Sequence, residues 1–263
     1  MAPLKLAAPR DGAVGATGAP DEMVGHISTD RPVAAGRIRA VFLDVGETLV
    51  DETRVWEGWA DWLAVPRFTF LAALGGVIQR GEDHLRVFEL FRPDFDLARE
   101  RASRREAGVL WTVQERDLYP DVRPALERLR AEGYRIGISG NQPDGMTDAL
   151  RALNLPVDVI ENSADWGLEK PDPAFFTRVA ALAGLPPGKI AYVGDRLDND
   201  VLPAREAGMV GVFLGRGPWG LAHARWPEAS LAALRIESLA ELPEALASLE
   251  PAPEPGEEPA EST

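Results

Sequence analysis

Residues 41–44 constrain the fold more than any other stretch of the chain. Val41, Phe42 and Leu43 are apolar in succession, and the run stops at a carboxylate, Asp44, followed by Val45, Gly46, Glu47, Thr48 and Leu49. A strand wetted on one side alternates apolar and polar residues. One without alternation is buried on both faces, as in a parallel sheet sandwiched between helices. Ligands of open α/β sheets gather beyond the carboxyl ends of such strands. Asp44 therefore stands either where chemistry is done or at a polar turn that merely ends a strand.

The same event recurs downstream. Ile190 to Val193 is a second apolar run, ending in Gly194-Asp195, and after Asn199-Asp200 the stretch Ala204 to Gly208 reads as a helix closed by glycine. Between the two lies a third strand, Tyr134 to Ile138, ending in Ser139-Gly140-Asn141. Two carboxylates converging at one sheet edge suit Mg²⁺, a hard cation that takes one or two protein carboxylates and fills its other positions with water and phosphate oxygens. A fourth element is Lys170, before Pro171-Asp172-Pro173; of the 28 basic residues only Lys5, Lys170 and Lys189 are lysine. In a chain that otherwise uses arginine, a lysine at 170 suggests a need for a compact ammonium rather than a planar fork. An ordinary surface lysine before a helix start is the plain alternative.

In this order the four elements resemble the haloacid dehalogenase superfamily, whose members are mostly phosphatases, over roughly residues 38 to 245. The resemblance implies a three-layer α/β/α Rossmann-like parallel sheet with an inserted α-helical cap. It implies Asp44 as the nucleophile and Lys170 as a catalytic and phosphate-holding ammonium, with Ser139, Gly140 and Asn141 around the phosphate. Mg²⁺ would be held by Asp44, the carbonyl of Gly46 and Asp195, with Thr48 and Asp200 behind them, Asp200 as an outer acceptor or as the group that orients Lys170.

Two departures from the family pattern matter. Gly46 stands where most family phosphatases carry the general acid that protonates the leaving group and later activates water. Such assistance is typically worth about 10² to 10⁴ in rate, so its loss predicts a steep fall in rate as leaving-group pKa rises, and Gly46→Asp should then favour alkyl phosphates. Glu47 and His84 are candidate replacements, although an adjacent side chain points elsewhere, and Glu82, Asp83 and Arg86 around His84 read as an exposed helix face. The second departure is Ser139, one residue earlier than the usual hydroxyl and so on the opposite face of its strand. Either the loop bulges to bring Ser139 round, or backbone N–H groups near Gly140 take its place.

The domain organisation follows from texture. Residues 1–36 are Gly-, Ala- and Pro-rich without periodicity and read as disordered, as does the acidic tail 251–263 with its four Glu and four Pro. Residues 37–50 and 117–250 read as the core. Residues 51–116 read as the helical cap, with Trp56, Trp59, Trp62 and Phe68 as its core rather than as a ligand cage. Arg54 is a candidate substrate contact, and Arg216 and Trp219 sit in a later loop at the same sheet edge. The formal charge of −14 argues against nonspecific nucleic-acid binding. The absence of cysteine excludes disulfides and thiolate chemistry, and with no long apolar segment or leader a cytoplasmic protein free of membrane is expected. The function expected is therefore a Mg²⁺-dependent phosphatase of a small phosphorylated metabolite, with substrate and oligomeric state unspecified. Its rivals are a metal-independent dehalogenase-like hydrolase and a noncatalytic phosphometabolite-binding or interaction protein.

Overall fold

In the computed structural model, which describes residues 38–109 and 111–249, β1 (Ala40–Leu43) lies at the centre of a parallel sheet. The other strands are β2 (Arg135–Ile138), β3 (Val159–Ile160), β4 (Ile190–Gly194), β5 (Val210–Leu214) and β6 (Leu234–Ile236), in the order β3-β2-β1-β4-β5-β6. The chain winds one way from β1 to β3 and the other way from β4 to β6, so the switch point falls between β1 and β4, where a crevice opens beyond the strand ends. Leu43 pairs with Ile138 of β2 and with Val193 of β4. Asp44, Ser139 and the Gly194-Asp195 pair therefore emerge side by side at one edge. The two-residue β3, too short to show a pattern, was not foreseen from the sequence.

The missing alternation in β1 and β4 is explained by what covers each face. Eleven α-helices are described. α1 (Thr53–Trp62), α2 (Arg67–Gln79), α3 (Arg86–Phe91) and α4 (Leu97–Glu106) lie between β1 and β2. The others are α5 (Val122–Ala131), α6 (Met146–Ala152), α7 (Ser163–Trp166), α8 (Pro173–Ala183), α9 (Leu202–Glu206), α10 (Gly217–His223) and α11 (Leu242–Ala247). Val41, Leu43, Ala191 and Val193 pack on one side with Leu126 and Leu129 of α5 and Leu242 and Leu246 of α11. Ala40, Phe42, Ile190 and Tyr192 pack on the other with Phe175, Phe176 and Val179 of α8 and Ala204 of α9. Each fully buried Val, Leu, Ile or Phe side chain among these stabilises the fold by about 1.5–3 kcal/mol.

The four helices between β1 and β2 build a second apolar cluster from Trp56, Trp59, Phe70, Leu74, Val77 and Phe88, and Trp219 and Ala222 of α10 join it. Trp59 meets Phe88 edge-on at 5.1 Å, and Arg104 of α4 lies over the Trp59 ring at 4.1 Å. Phe68, expected in this core, is 86% exposed instead, because it stands at the solvent-facing start of α2 while Phe70 turns inward. The two expected tails, residues 1–36 and 251–263, lie outside the described residues. Among the described residues no single helix is long and apolar enough to cross a membrane.

Candidate active site

Two strand ends and the turn after β4 gather three carboxylates, two of them on one ammonium. Lys170, only 4% exposed, donates from Nζ to Asp44 Oδ1 at 2.7 Å and to Asp200 Oδ1 at 2.5 Å. Burial alone would discharge this ammonium, but Asp200 and Asp44 outweigh that cost and hold its pKa well above the ordinary lysine value. Asp195, from the end of β4, and Asp200, from the single π turn Leu197–Val201, offer with Asp44 oxygens that all lie within 4.8 Å of one another. Asp195 Oδ2 is buried with no hydrogen-bond partner. Burial, then Asp200, Asp44 and Glu47, raises the Asp195 carboxyl well above the usual carboxylate range. An unpartnered buried oxygen amid like charges calls for a proton or a cation, and this all-oxygen donor set fits a hard divalent ion.

The loop after β2 is braced from two directions. Asn141 Oδ1 accepts the Lys170 backbone N–H at 2.7 Å, and its Nδ2 donates to the Lys170 carbonyl at 2.8 Å. One side chain thus ties the β2 loop to the segment that carries the lysine. The Gly140 N–H donates to Asn162 Oδ1 at 3.0 Å, so that N–H is engaged within the protein. Gly140 has a different purpose: a Cβ there would fall well under 3.0 Å from Asp44 Oδ1, a separation that real Cβ atoms do not show. Ser139, expected among the phosphate-holding groups, is fully buried, and its Oγ has no partner. Strand alternation turns it away from the edge on which Asp44 opens, and the loop does not bulge to bring it back.

Around Gly46 the chain doubles back on itself. Leu49 and Val50 donate to the Val45 carbonyl, and Glu47 N–H donates to the Val50 carbonyl at 2.8 Å. Glu47, at φ 51°, swings out of the site: Oε2 accepts from Tyr119 Oη at 2.6 Å and Oε1 accepts the Glu52 N–H at 3.0 Å. Glu52, the residue before α1, returns over Gly46. Its Oε1 lies 2.6 Å from where a Cβ on residue 46 would stand, and its Oε2 accepts from Trp56 Nε1 at 3.3 Å. Burial, then the charges of Glu47 and Asp44, pushes the Glu52 carboxyl up to about 8.

A pocket of about 150 Å³ opens over these groups, lined by Asp44, Gly46, Glu52, Asn141, Lys170 and Asp195, with His84, Arg196 and Trp219 at its walls. His84 is not on an exposed helix face: it stands in a turn before α3, packed edge-on against Trp56 at 5.6 Å and Trp219 at 5.4 Å. Burial lowers its pKa to about 4, which leaves a neutral imidazole near pH 7. Arg196 holds Asp198 through two N–H groups at 3.1 and 2.8 Å and lies over the Trp219 ring. Arg54, the candidate substrate contact, is turned away from the pocket. Its guanidinium grips Asp117, at 2.8 and 2.5 Å, and the Thr112 carbonyl at 2.7 Å. Arg216 is likewise engaged, by Asp121, by the Thr48 carbonyl and by the Tyr119 ring at 4.2 Å. Thr48 is fully buried with an unpartnered Oγ1. The groups missed from sequence are Glu52 and Arg196. Only Arg196 had a signal, its adjacency to Asp195.

Similarity to known proteins accords with this geometry. Over 104 residues the chain is 36% identical to the glyceraldehyde 3-phosphate phosphatase of Methanopyrus kandleri, a match covering 38% of this chain and 45% of that one. The chain spans about half the length of the first curated relatives it matches. The crystal structure of a phosphatase of the haloacid dehalogenase class from Thermococcus onnurineus superposes with a TM-score of 0.51 at 26% identity, covering 82% of this chain and 100% of that one. The hydrolase YfnB of Bacillus subtilis, crystallised bound to magnesium, shares the fold at a TM-score of 0.60 and 17% identity, over 80% of this chain and 99% of its own. The profile of the haloacid dehalogenase-like hydrolases matches residues 38–208, a span from the residue pair before β1 to the glycine after α9 that takes in Asp44, Lys170, Asp195 and Asp200, and the chain belongs to that family.

Proposed function

We propose that this chain is a Mg²⁺-dependent phosphatase that hydrolyses a small phosphorylated metabolite through a phosphate ester on Asp44. The observation that carries this reading is the Asp44 carboxylate paired at 2.7 Å with a buried lysine beside the unpartnered Oδ2 of Asp195. Asp44 attacks phosphorus in line with the leaving oxygen and becomes an aspartyl phosphate. Lys170, with two of its three N–H donors on Asp44 and Asp200, balances charge on the phosphoryl oxygens, and Asp200 keeps it aimed. Asp44, the Gly46 carbonyl and Asp195 would hold Mg²⁺, which would supply neutralisation of the phosphate charge. Gly140 and Asn141 border the phosphate, and Thr48 supports the turn beneath Asp44. Water then attacks the aspartyl phosphate and frees Asp44.

The pocket of about 150 Å³ suits a small substrate, and the relative in Methanopyrus kandleri is named for a three-carbon sugar phosphate. Residues 51–116 serve as a cap over a core formed by 37–50 and 117–250, and His84 and Trp219 at the pocket wall are where the two parts share the site. A halide-releasing reaction would account for Gly46, Asp44 and the Lys170–Asp200 pair but leaves the buried, unpartnered Asp195 beside them without a purpose. The test is phosphate release from a panel of phosphorylated metabolites with Mg²⁺ or excess chelator, together with acid-quench trapping of labelled phosphate on the protein. Turnover should require Mg²⁺, and Asp44→Asn should lose both turnover and label while remaining folded and unfolding cooperatively. Undiminished activity in chelator, or wild-type turnover by Asp44→Asn, would overturn the reading.

A further inference from the structure

A side chain at position 46 is absent, but the space it would fill is not empty. An ideal Cβ on Gly46 would stand 2.6 Å from Glu52 Oε1 and 2.9 Å from Glu52 Cδ. The carboxylate that Gly46 cannot supply is delivered to the same place from six residues along the chain, by a turn that folds residues 45–52 back over themselves. The delivery is fixed at several points. The Glu52 N–H donates to Glu47 Oε1, Glu47 is pinned by Tyr119 Oη, and Trp56 Nε1 donates to Glu52 Oε2. The carboxylate lines the same pocket as Asp44, Lys170 and Asp195.

The other two candidates for the acid are accounted for elsewhere. Glu47 accepts from Tyr119 and Glu52, is buried and does not line the pocket. His84 lines the pocket as a neutral imidazole set between two indoles. We propose that Glu52 is the acid–base residue of the reaction, standing in for the group that residue 46 lacks. The assignment rests on the phosphatase reading above. In the first step the Asp44 oxygen–phosphorus bond forms, the bond from phosphorus to the leaving oxygen breaks, and the Glu52 proton passes to that oxygen. In the second, a water oxygen bonds to phosphorus, the bond to Asp44 breaks, and the water proton passes to the Glu52 carboxylate, restoring both groups.

Glu52→Gln keeps the shape and removes the transferable proton. On alkyl phosphates its turnover should fall about 10²- to 10⁴-fold, the range for loss of acid–base assistance. On p-nitrophenyl phosphate, whose leaving group needs no proton, the first step should survive while the second is slowed. Rapid mixing should therefore show a burst of about one nitrophenolate per enzyme and a labelled protein on acid quench. A merely structural role for Glu52 would lower both ester classes alike and show no burst. A second variant moves the carboxylate: Gly46→Asp combined with Glu52→Gly should recover alkyl phosphate turnover at least tenfold above Glu52→Gln. Gly46→Asp alone must push the Glu52 carboxylate aside, because the added Cβ would stand 2.6 Å from its Oε1, which is why the second variant also removes the Glu52 side chain. A folded Glu52→Gln protein with the wild-type ratio of alkyl to aryl turnover and no burst, or a double variant no better than Glu52→Gln, overturns the assignment. Absence of Asp44-dependent turnover in the wild type would instead overturn the phosphatase reading.

Discussion

Replacing Gly140 by alanine adds one methyl group opposite Asp44, the carboxylate proposed to react. The backbone at 140 is outside the left-handed region, so alanine fits the chain there, and the whole effect comes from the contact with Asp44. The new Cβ would lie well inside the 3.0 Å limit of real Cβ contacts to Asp44 Oδ1, with Val45 N and Cγ2 against it at 3.4 Å. The carboxylate must therefore give way, by about 1 Å, a displacement that typically costs about 10²-fold in a reaction dependent on alignment. It must also loosen from Lys170, to which it is held at 2.7 Å. Overpacking of this kind costs about 1–3 kcal/mol, which lowers Tm by roughly 2–10 °C in a domain of this size. The assay pairs steady-state kinetics on p-nitrophenyl phosphate with thermal denaturation. A kcat reduced about 10²-fold in a protein that still unfolds cooperatively is the expected result. Wild-type kcat with an unchanged Tm would mean that Asp44 does not react from its position beside Gly140.

Two further outcomes concern stability. His223 accepts the Leu197 N–H on Nδ1 at 3.0 Å and is buried, which lowers its pKa from 6.5 to about 4. As pH falls below 6.5 the unfolded chain takes up a proton that the folded imidazole refuses, so stability is lost between about pH 6.5 and 4, by at most about 3 kcal/mol for this group. His223→Asn, whose Oδ1 can accept the same N–H, should flatten the decline of Tm over that interval; an identical pH profile would refute the reasoning. Gly75 lies inside α2, and a Cβ added there would meet nothing within 4 Å. Gly75→Ala should therefore stabilise the protein by about 0.5–1 kcal/mol, read as a rise in Tm, and a fall in Tm would show the outer face of α2 to be covered.

What could be read from the sequence was whatever a local pattern dictates. Unbroken apolar runs marked β1 and β4, and parallel pairing in register then puts Asp44 and Asp195 at neighbouring strand ends. The lone lysine of the Pro-flanked segment is the buried ammonium at the centre of the site. What escaped depends on contacts between distant residues or on the path of a turn. Arg54 is claimed by Asp117, 63 positions away, and no local feature announces that partner. His84 looks solvated among charged neighbours, yet its ring packs against Trp219 from the far end of the chain. Glu52 reaches the space above Gly46 only because the intervening residues double back, which a strand or helix period cannot reveal.

Asn141 carries a consequence for how this site can change over time. An amide carries a donating NH₂ and an accepting oxygen, and here each is engaged on the backbone of a single residue, Lys170. Aspartate would set an acceptor against a carbonyl, leucine would leave both groups unanswered, and glutamine would overshoot by a methylene. The loop after β2 and the lysine segment consequently behave as one rigid body with respect to small shifts, so drift in either sequence is transmitted to the other. Under the proposed function, variation in substrate preference would fall to the walls, at His84, Arg196 and Trp219, where side chains can be exchanged without moving the floor.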